Sequence, residues 1–144
     1  MLNAEACDLG ILYCLGEKKE DRDSERNEEV LSEQLEALKA ANIANWANVV
    51  LVYEPLWALG TGTIASADQT QESAEFIRGW VRTNIGPDQA SIVRIVYGGS
   101  VTETNADKLI ELPDVDGFMI GSTSTKPIFR TIFDITNNYV ENNF

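Results

Sequence analysis

Glu54 is the residue in this chain best placed to move a proton. It follows the run Val49-Val50-Leu51-Val52-Tyr53 and precedes Pro55-Leu56-Trp57-Ala58-Leu59-Gly60-Thr61-Gly62-Thr63. The preceding run is β-branched and apolar, as a strand buried on both faces should be. A carboxylate at the tip of such a strand is partly desolvated, which favours proton transfer near neutral pH. The segment after it has the composition of a closing lid. Pro55 stiffens one end, Trp57 offers a packing latch, and Gly60 and Gly62 allow unusual backbone angles and close ligand approach. The competing reading is a solvated glutamate entering an ordinary strand-to-helix connection, since strand-end carboxylates are common.

Two other places combine glycine with serine: Gly98-Gly99-Ser100 and Gly121-Ser122. Glycine opens backbone N–H groups toward a ligand and serine adds a hydroxyl donor, a set that suits a phosphate rather than a metal. Either cluster alone reads as a plain turn. Their weight comes from joining a carboxylate and a lid. No histidine occurs among the 144 residues, which removes the commonest general acid–base group and the commonest metal ligand. Cys7 and Cys14 are too few and too poorly spaced for a zinc site or a disulfide framework, so reduced structural thiols are expected. Neither a metal nor a cofactor is expected.

The elements that must position these groups alternate along the chain. A short strand is expected over residues 10–15, a polar helix over 24–41 with Leu31, Leu35 and Leu38 as its apolar stripe, and a second strand ending at Tyr53. Ser66 and Gln69 form a capping-box pattern ahead of Thr70, Ala74, Ile77 and Val81 at helical spacing. Gly86-Pro87 breaks that helix. A third strand is expected over 92–97, a shorter helix over 105–112 stopped by Pro113, and a last strand over 117–120. Pro127 suits the first turn of a closing helix with Ile128, Ile132, Ile135 and Tyr139 down one side. Four strand–helix units in strict alternation imply an α/β fold with parallel pairing through right-handed crossovers. In such a sheet Glu54, Ser100 and Gly121-Ser122 share the carboxyl edge, where ligands bind. The length suits one domain over residues 1–144, without a linker or low-complexity tract.

With 23 acidic and 11 basic residues the net charge is −12, which argues against nucleic acid or an anionic membrane as a partner through bulk charge. Much of the acidity lies between Glu17 and Glu36 and reads as the solvated face of a helix. The amino terminus shows no basic region followed by an apolar run, and no stretch is long enough to span a membrane, so a cytosolic protein is the default expectation.

The residues resemble one family, triosephosphate isomerase, and specifically its carboxyl-terminal half. The match is carried by Cys14-Leu15-Gly16-Glu17-Lys18, by Tyr53-Glu54-Pro55-Leu56-Trp57-Ala58-Leu59-Gly60-Thr61-Gly62, by Tyr97-Gly98-Gly99-Ser100-Val101 and by Asp114-Val115-Asp116-Gly117-Phe118-Met119-Ile120-Gly121. The resemblance implies the last four units of an eight-unit (β/α) barrel that interconverts dihydroxyacetone phosphate and glyceraldehyde 3-phosphate. It implies Glu54 as the proton-shuttling base and residues 55–63 as the lid. It also implies that the Gly60 N–H, Ser100, Gly121 and Ser122 hold the substrate phosphate. A different phosphate-binding barrel of similar layout is a weaker match, because the lid sequence is so specific.

Three departures accompany the resemblance. The family usually has glycine where Ser122 stands and often lysine where Thr63 stands. The larger departure is that the lysine and asparagine of the family's first strand and the histidine of its fourth have no counterpart here. An isomerase without its carbonyl-polarising histidine is expected to be inactive alone. The alternative is a non-catalytic half-barrel that binds phosphate or a partner. Four strands would leave two edges unpaired, with Leu12, Leu51, Val96 and Met119 facing water or an incomplete core. Pairing with the complementary amino-terminal half, or a homo-oligomer, is therefore expected. The family's usual dimer contacts lie mainly in the other half.

Overall fold

The computed structural model describes residues 2–59 and 63–143. In chain order these form α1 (Leu2–Ala6), β1 (Ile11–Leu15), α2 (Lys19–Asp23), α3 (Asn27–Ala40), β2 (Val49–Tyr53), α4 (Ala67–Asn84), α5 (Pro87–Ile92), β3 (Arg94–Tyr97), α6 (Ala106–Ile110), β4 (Gly117–Phe118) and α7 (Phe129–Asn143). Single 3-10 turns occupy Trp46–Asn48 and Ser122–Thr125. The four strands form one parallel sheet in the order β1-β2-β3-β4. Each strand therefore pairs with its sequence neighbours, as half of a β/α barrel requires.

The helix between β2 and β3 starts where its side chains dictate. Ser66 Oγ accepts from the Gln69 N–H at 3.1 Å and Gln69 Oε1 accepts from the Ser66 N–H at 3.0 Å, so both orphan donors are satisfied. Thr70, Ala74, Ile77 and Val81 are buried along one face, joined by Ser73 and Trp80. Leu31, Leu35 and Leu38 of α3 are fully buried, and they meet Ile11, Leu15, Val49, Leu51, Tyr53, Ile95 and Tyr97 on the outer face of the sheet. That layer between sheet and helices is the core.

Several boundaries differ from the sequence reading. The helix expected over 24–41 begins only at Asn27, because Glu25 adopts a left-handed backbone (φ 57°), and a separate short helix, α2, precedes it. Pro87 both ends one helix and opens another, α5, so Ile92 closes a helix and the third strand begins only at Arg94. The last strand has two residues, although the Met119 N–H still donates to the Tyr97 carbonyl at 3.0 Å. Pro127 lies two residues ahead of α7, and Ile132 is the one side chain of that helix that is fully buried.

The sheet's inner face is apolar and only partly covered. Pairing places Leu12 beside Val50, and Cys14, Val52, Val96 and Gly117 in one row. Leu12 is 65% exposed. Leu51, expected on this face, points the other way into the core and is fully buried. A strand apolar at every position gives no alternation from which its facing could be read. Among the described residues, no helix is long and apolar enough to cross a membrane.

Candidate active site

All the predicted groups within the described residues stand at the carboxyl ends of the strands. β2 delivers Glu54, β3 delivers Gly98-Gly99-Ser100, and β4 delivers Gly121-Ser122 through Met119-Ile120. Glu54 is partly exposed, and its N–H donates to the Leu15 carbonyl at 2.8 Å, extending the β1–β2 ladder. Its side chain lies against Gly98, where a Cβ would stand 2.8 Å from Glu54 Cγ and equally close to Val52 Cγ1. Gly98 is thus required by close approach, and it fixes the spacing between the carboxylate and the loop after β3.

Gly98 also lines a cleft of about 490 Å³, together with Gly99, Ser100, Val101, Ile120, Gly121, Ser122 and Thr123 on the strand-end side. Ala58, Leu59, Thr63 and Ile64, from the expected lid segment and the residue after it, line the other side. Ser100, Gly121 and Ser122 therefore face one space that also meets the lid. None of its described lining residues is charged. An anion here would be held by N–H and hydroxyl donors, which matches the chemistry of both glycine clusters.

The expected lid segment leaves β2 through Pro55, which is buried. A turn follows, in which the Ala58 N–H donates to the Pro55 carbonyl at 2.9 Å. Ala58 is buried, whereas Leu56 and Leu59 are each 41% exposed. Gly60, Thr61 and Gly62 lie outside the described residues, and with them the Gly60 N–H proposed for the phosphate. Trp57 is latched by a hydrogen bond. Its indole Nε1–H donates to Glu17 Oε1 at 2.8 Å, and the same oxygen accepts from the Tyr53 hydroxyl at 3.0 Å and from Arg22 Nη1 at 3.0 Å.

Glu17 is fully buried and is not the first residue of a solvated acidic face, as the charge run suggested. Donors from Tyr53, Trp57 and Arg22 orient its Oε1, and the Arg22 guanidinium supplies the opposing charge. Sequence reasoning missed this hub. The one available signal was position, since Glu17 stands just past the end of β1, on the edge where Glu54 and Ser100 also stand. Burial, then the neighbouring Glu17 charge, pushes the Tyr53 hydroxyl far above its ordinary range, so it stays a donor to the carboxylate.

Cys14 and Glu54 are neighbours at the inner face. Desolvation, followed by the Glu54 charge, pushes the Cys14 thiol up. A raised pKa means less thiolate at a given pH, so removing the Glu54 charge should lower it and expose more thiolate. In a Cys7→Ser background, Glu54→Gln is expected to speed alkylation of Cys14 by iodoacetamide at pH 8 about twofold or more. An unchanged rate would mean that the carboxylate points away from Cys14.

Four parallel β/α units carrying a carboxylate and a cleft on one edge define half of a β/α barrel. Sequence comparison makes the class specific. The sequence model of the family described as triosephosphate isomerase matches residues 1–137. A curated protein named "Triosephosphate isomerase, cytosolic", from Gracilaria gracilis, is 44% identical over 126 residues, covering 88% of this chain and 50% of the relative. The chain belongs to the triosephosphate isomerase family. It spans about half the length of that curated relative.

Proposed function

We propose that this chain supplies the proton-shuttling and phosphate-holding half of a triose phosphate isomerase, with residues 1–144 acting as one domain. The observation that carries the reading is the single cleft in which the lid, the loop after β3 and the loop after β4 meet, with Glu54 packed on its Gly98 wall. In this reading the phosphate of dihydroxyacetone phosphate or glyceraldehyde 3-phosphate sits against Ser100, Gly121 and Ser122, and residues 55–63, including the Gly60 N–H, close over it. Glu54 removes a proton from the carbon next to the carbonyl and returns it to the neighbouring carbon. Lid closure keeps water from the enediolate, which would otherwise expel its phosphate.

The reaction also needs a group that polarises the substrate carbonyl. No histidine is present, and no cation lines the described part of the cleft. Loss of one such donor lowers turnover by about two to three orders of magnitude. We therefore infer that the chain is inactive alone and works against further β/α units, in the same polypeptide or in another. These units would cover Leu12 and pair with the free edges of β1 and β4. A complementary amino-terminal half fits best, and a second copy of the chain would cover the same edges. The relative's cytosolic designation and the two free cysteines favour the cytosol as the compartment.

The uncharged cleft also favours a second reading, a half-barrel that binds phosphate without turnover. An isomerase assay on the chain, alone and mixed with the amino-terminal half of a family member, separates the two. The expected result is no turnover alone, turnover on mixing, and its loss with Glu54→Gln. A mixed complex that forms and binds triose phosphate but does not isomerise it would support the second reading.

A further inference from the structure

Besides Glu17, a second group holds the first hinge of the lid. Arg22 of α2 is largely covered and makes two ion pairs, its Nη1 with Glu17 at 3.0 Å and its Nη2 with Glu72 of α4 at 3.1 Å. Its guanidinium carbon lies 5.4 Å from the centroid of the Trp57 ring. The guanidinium is therefore a strap, fastened at both ends to carboxylates on different elements and lying over the indole between them. Beside it lies a cavity of about 170 Å³, lined by Lys19, Arg22, Asp23, Trp57, Thr63 and Gln69. Trp57 and Thr63 belong to opposite ends of the lid. The strap and both ends of the lid meet in one place.

We propose that Arg22, anchored by Glu72, is a positioning residue that sets the resting place of the lid through Trp57. The inference rests on the reading of residues 55–63 as a lid over an anion site. The indole is held by its N–H bond to Glu17 and by the guanidinium against its ring, among its contacts. Cutting the strap at Glu72 leaves the Glu17 bond intact but frees one guanidinium nitrogen, so the stacked geometry loses its second anchor. Glu72 is more than half exposed, and exposed ion pairs are weak, so the balance between lid positions should shift by about two- to fivefold. Arg22→Lys keeps the positive charge but loses the planar fork that reaches both carboxylates, so it should release the lid at least as much.

The full chain labelled with 5-fluorotryptophan tests this without turnover. Its three tryptophans give three 19F resonances, and Trp57→Phe assigns the one that matters. In Glu72→Gln and Arg22→Lys the Trp57 resonance is expected to move or broaden while those of Trp46 and Trp80 stay in place. The midpoint of a titration with inorganic phosphate is expected to change by about two- to fivefold. A Trp57 resonance unchanged in both variants overturns the proposal. So does movement of all three resonances together, which would make Arg22 a general support of the fold. If phosphate fails to bind even the unaltered chain, the anion-site reading fails on its own, and the strap is judged by the Trp57 resonance alone.

Discussion

Arg78→Ala is expected to destabilise the chain by about 3–5 kcal/mol, the range for removing one partner of a largely buried ion pair. Arg78 projects from α4 and is mostly covered. Its Nε donates to Asp114 at 2.7 Å and its Nη2 to Asp116 at 2.8 Å, while its Nη1 reaches the carbonyls of Ala90 and Val93 at 3.0 and 3.1 Å. Asp116 Oδ2 also accepts from the Ile95 N–H at 2.7 Å, and Gln71 Nε2 donates to Asp114 at 2.8 Å. One guanidinium thus ties α4 to the end of α5, the entry to β3 and the entry to β4. Removing it leaves two carboxylates and the carbonyls of Ala90, Val93 and Asp114 short of a donor. Folded domains are typically stable by only about 5–15 kcal/mol, so such a loss takes a large share of the total. Arg78→Lys should recover only part of it, because an ammonium cannot fork to both aspartates. Urea unfolding of the three chains decides the matter. A loss below about 1 kcal/mol for Arg78→Ala would place the network among weak surface pairs.

Gly16→Ala should damage both stability and the site. A Cβ at Gly16 would overlap the carbonyl of Glu54. Neither backbone is free to yield. Gly16 is held by Gln34 through a pair of hydrogen bonds, its N–H donating at 2.9 Å and its carbonyl accepting at 3.0 Å, and Glu54 is held by the Leu15 carbonyl. Forcing the ends of β1 and β2 apart should cost about 1–3 kcal/mol. It should also move Glu54, and a displacement of about 1 Å at a reacting group can lower turnover by roughly 10²-fold. Gly10→Ala is the control, since its Cβ would meet only the Asn48 carbonyl, at an ordinary 3.8 Å. Denaturant midpoints and the activity of the complemented chain are the two readouts. Near-normal values for Gly16→Ala would show that the two strand ends separate easily.

The sequence made some features plain because a few neighbouring residues decide them. The capping box at Ser66, the stripe of Leu31, Leu35 and Leu38, and the strand ending at Tyr53 all depend on local pattern. Ser100, Gly121 and Ser122 could be placed on one edge because strict alternation leaves a parallel sheet little freedom. Other features were hidden because distant segments decide them. Glu17 is buried by donors from Tyr53, Trp57 and Arg22, and a net count of acidic residues around it says nothing of that. Leu51 faces the core by a parity that an all-apolar strand does not display. Ile92 closes the short helix that Pro87 opens, although by residue type it reads as the start of the strand that follows.

The order β1-β2-β3-β4 has a consequence for how such a molecule comes into being. Every strand finds its template in the one made just before it, so no pairing waits for a distant part of the chain. A polypeptide leaving the ribosome could lay down one unit on the last, like courses of brick, with little loop entropy lost at each step. The architecture is nearly one-dimensional in this respect and can be divided between units by severing a single row of backbone bonds. The newest strand is always an open edge. It is the place where growth continues, and it is also where a stray strand could attach if growth stalled.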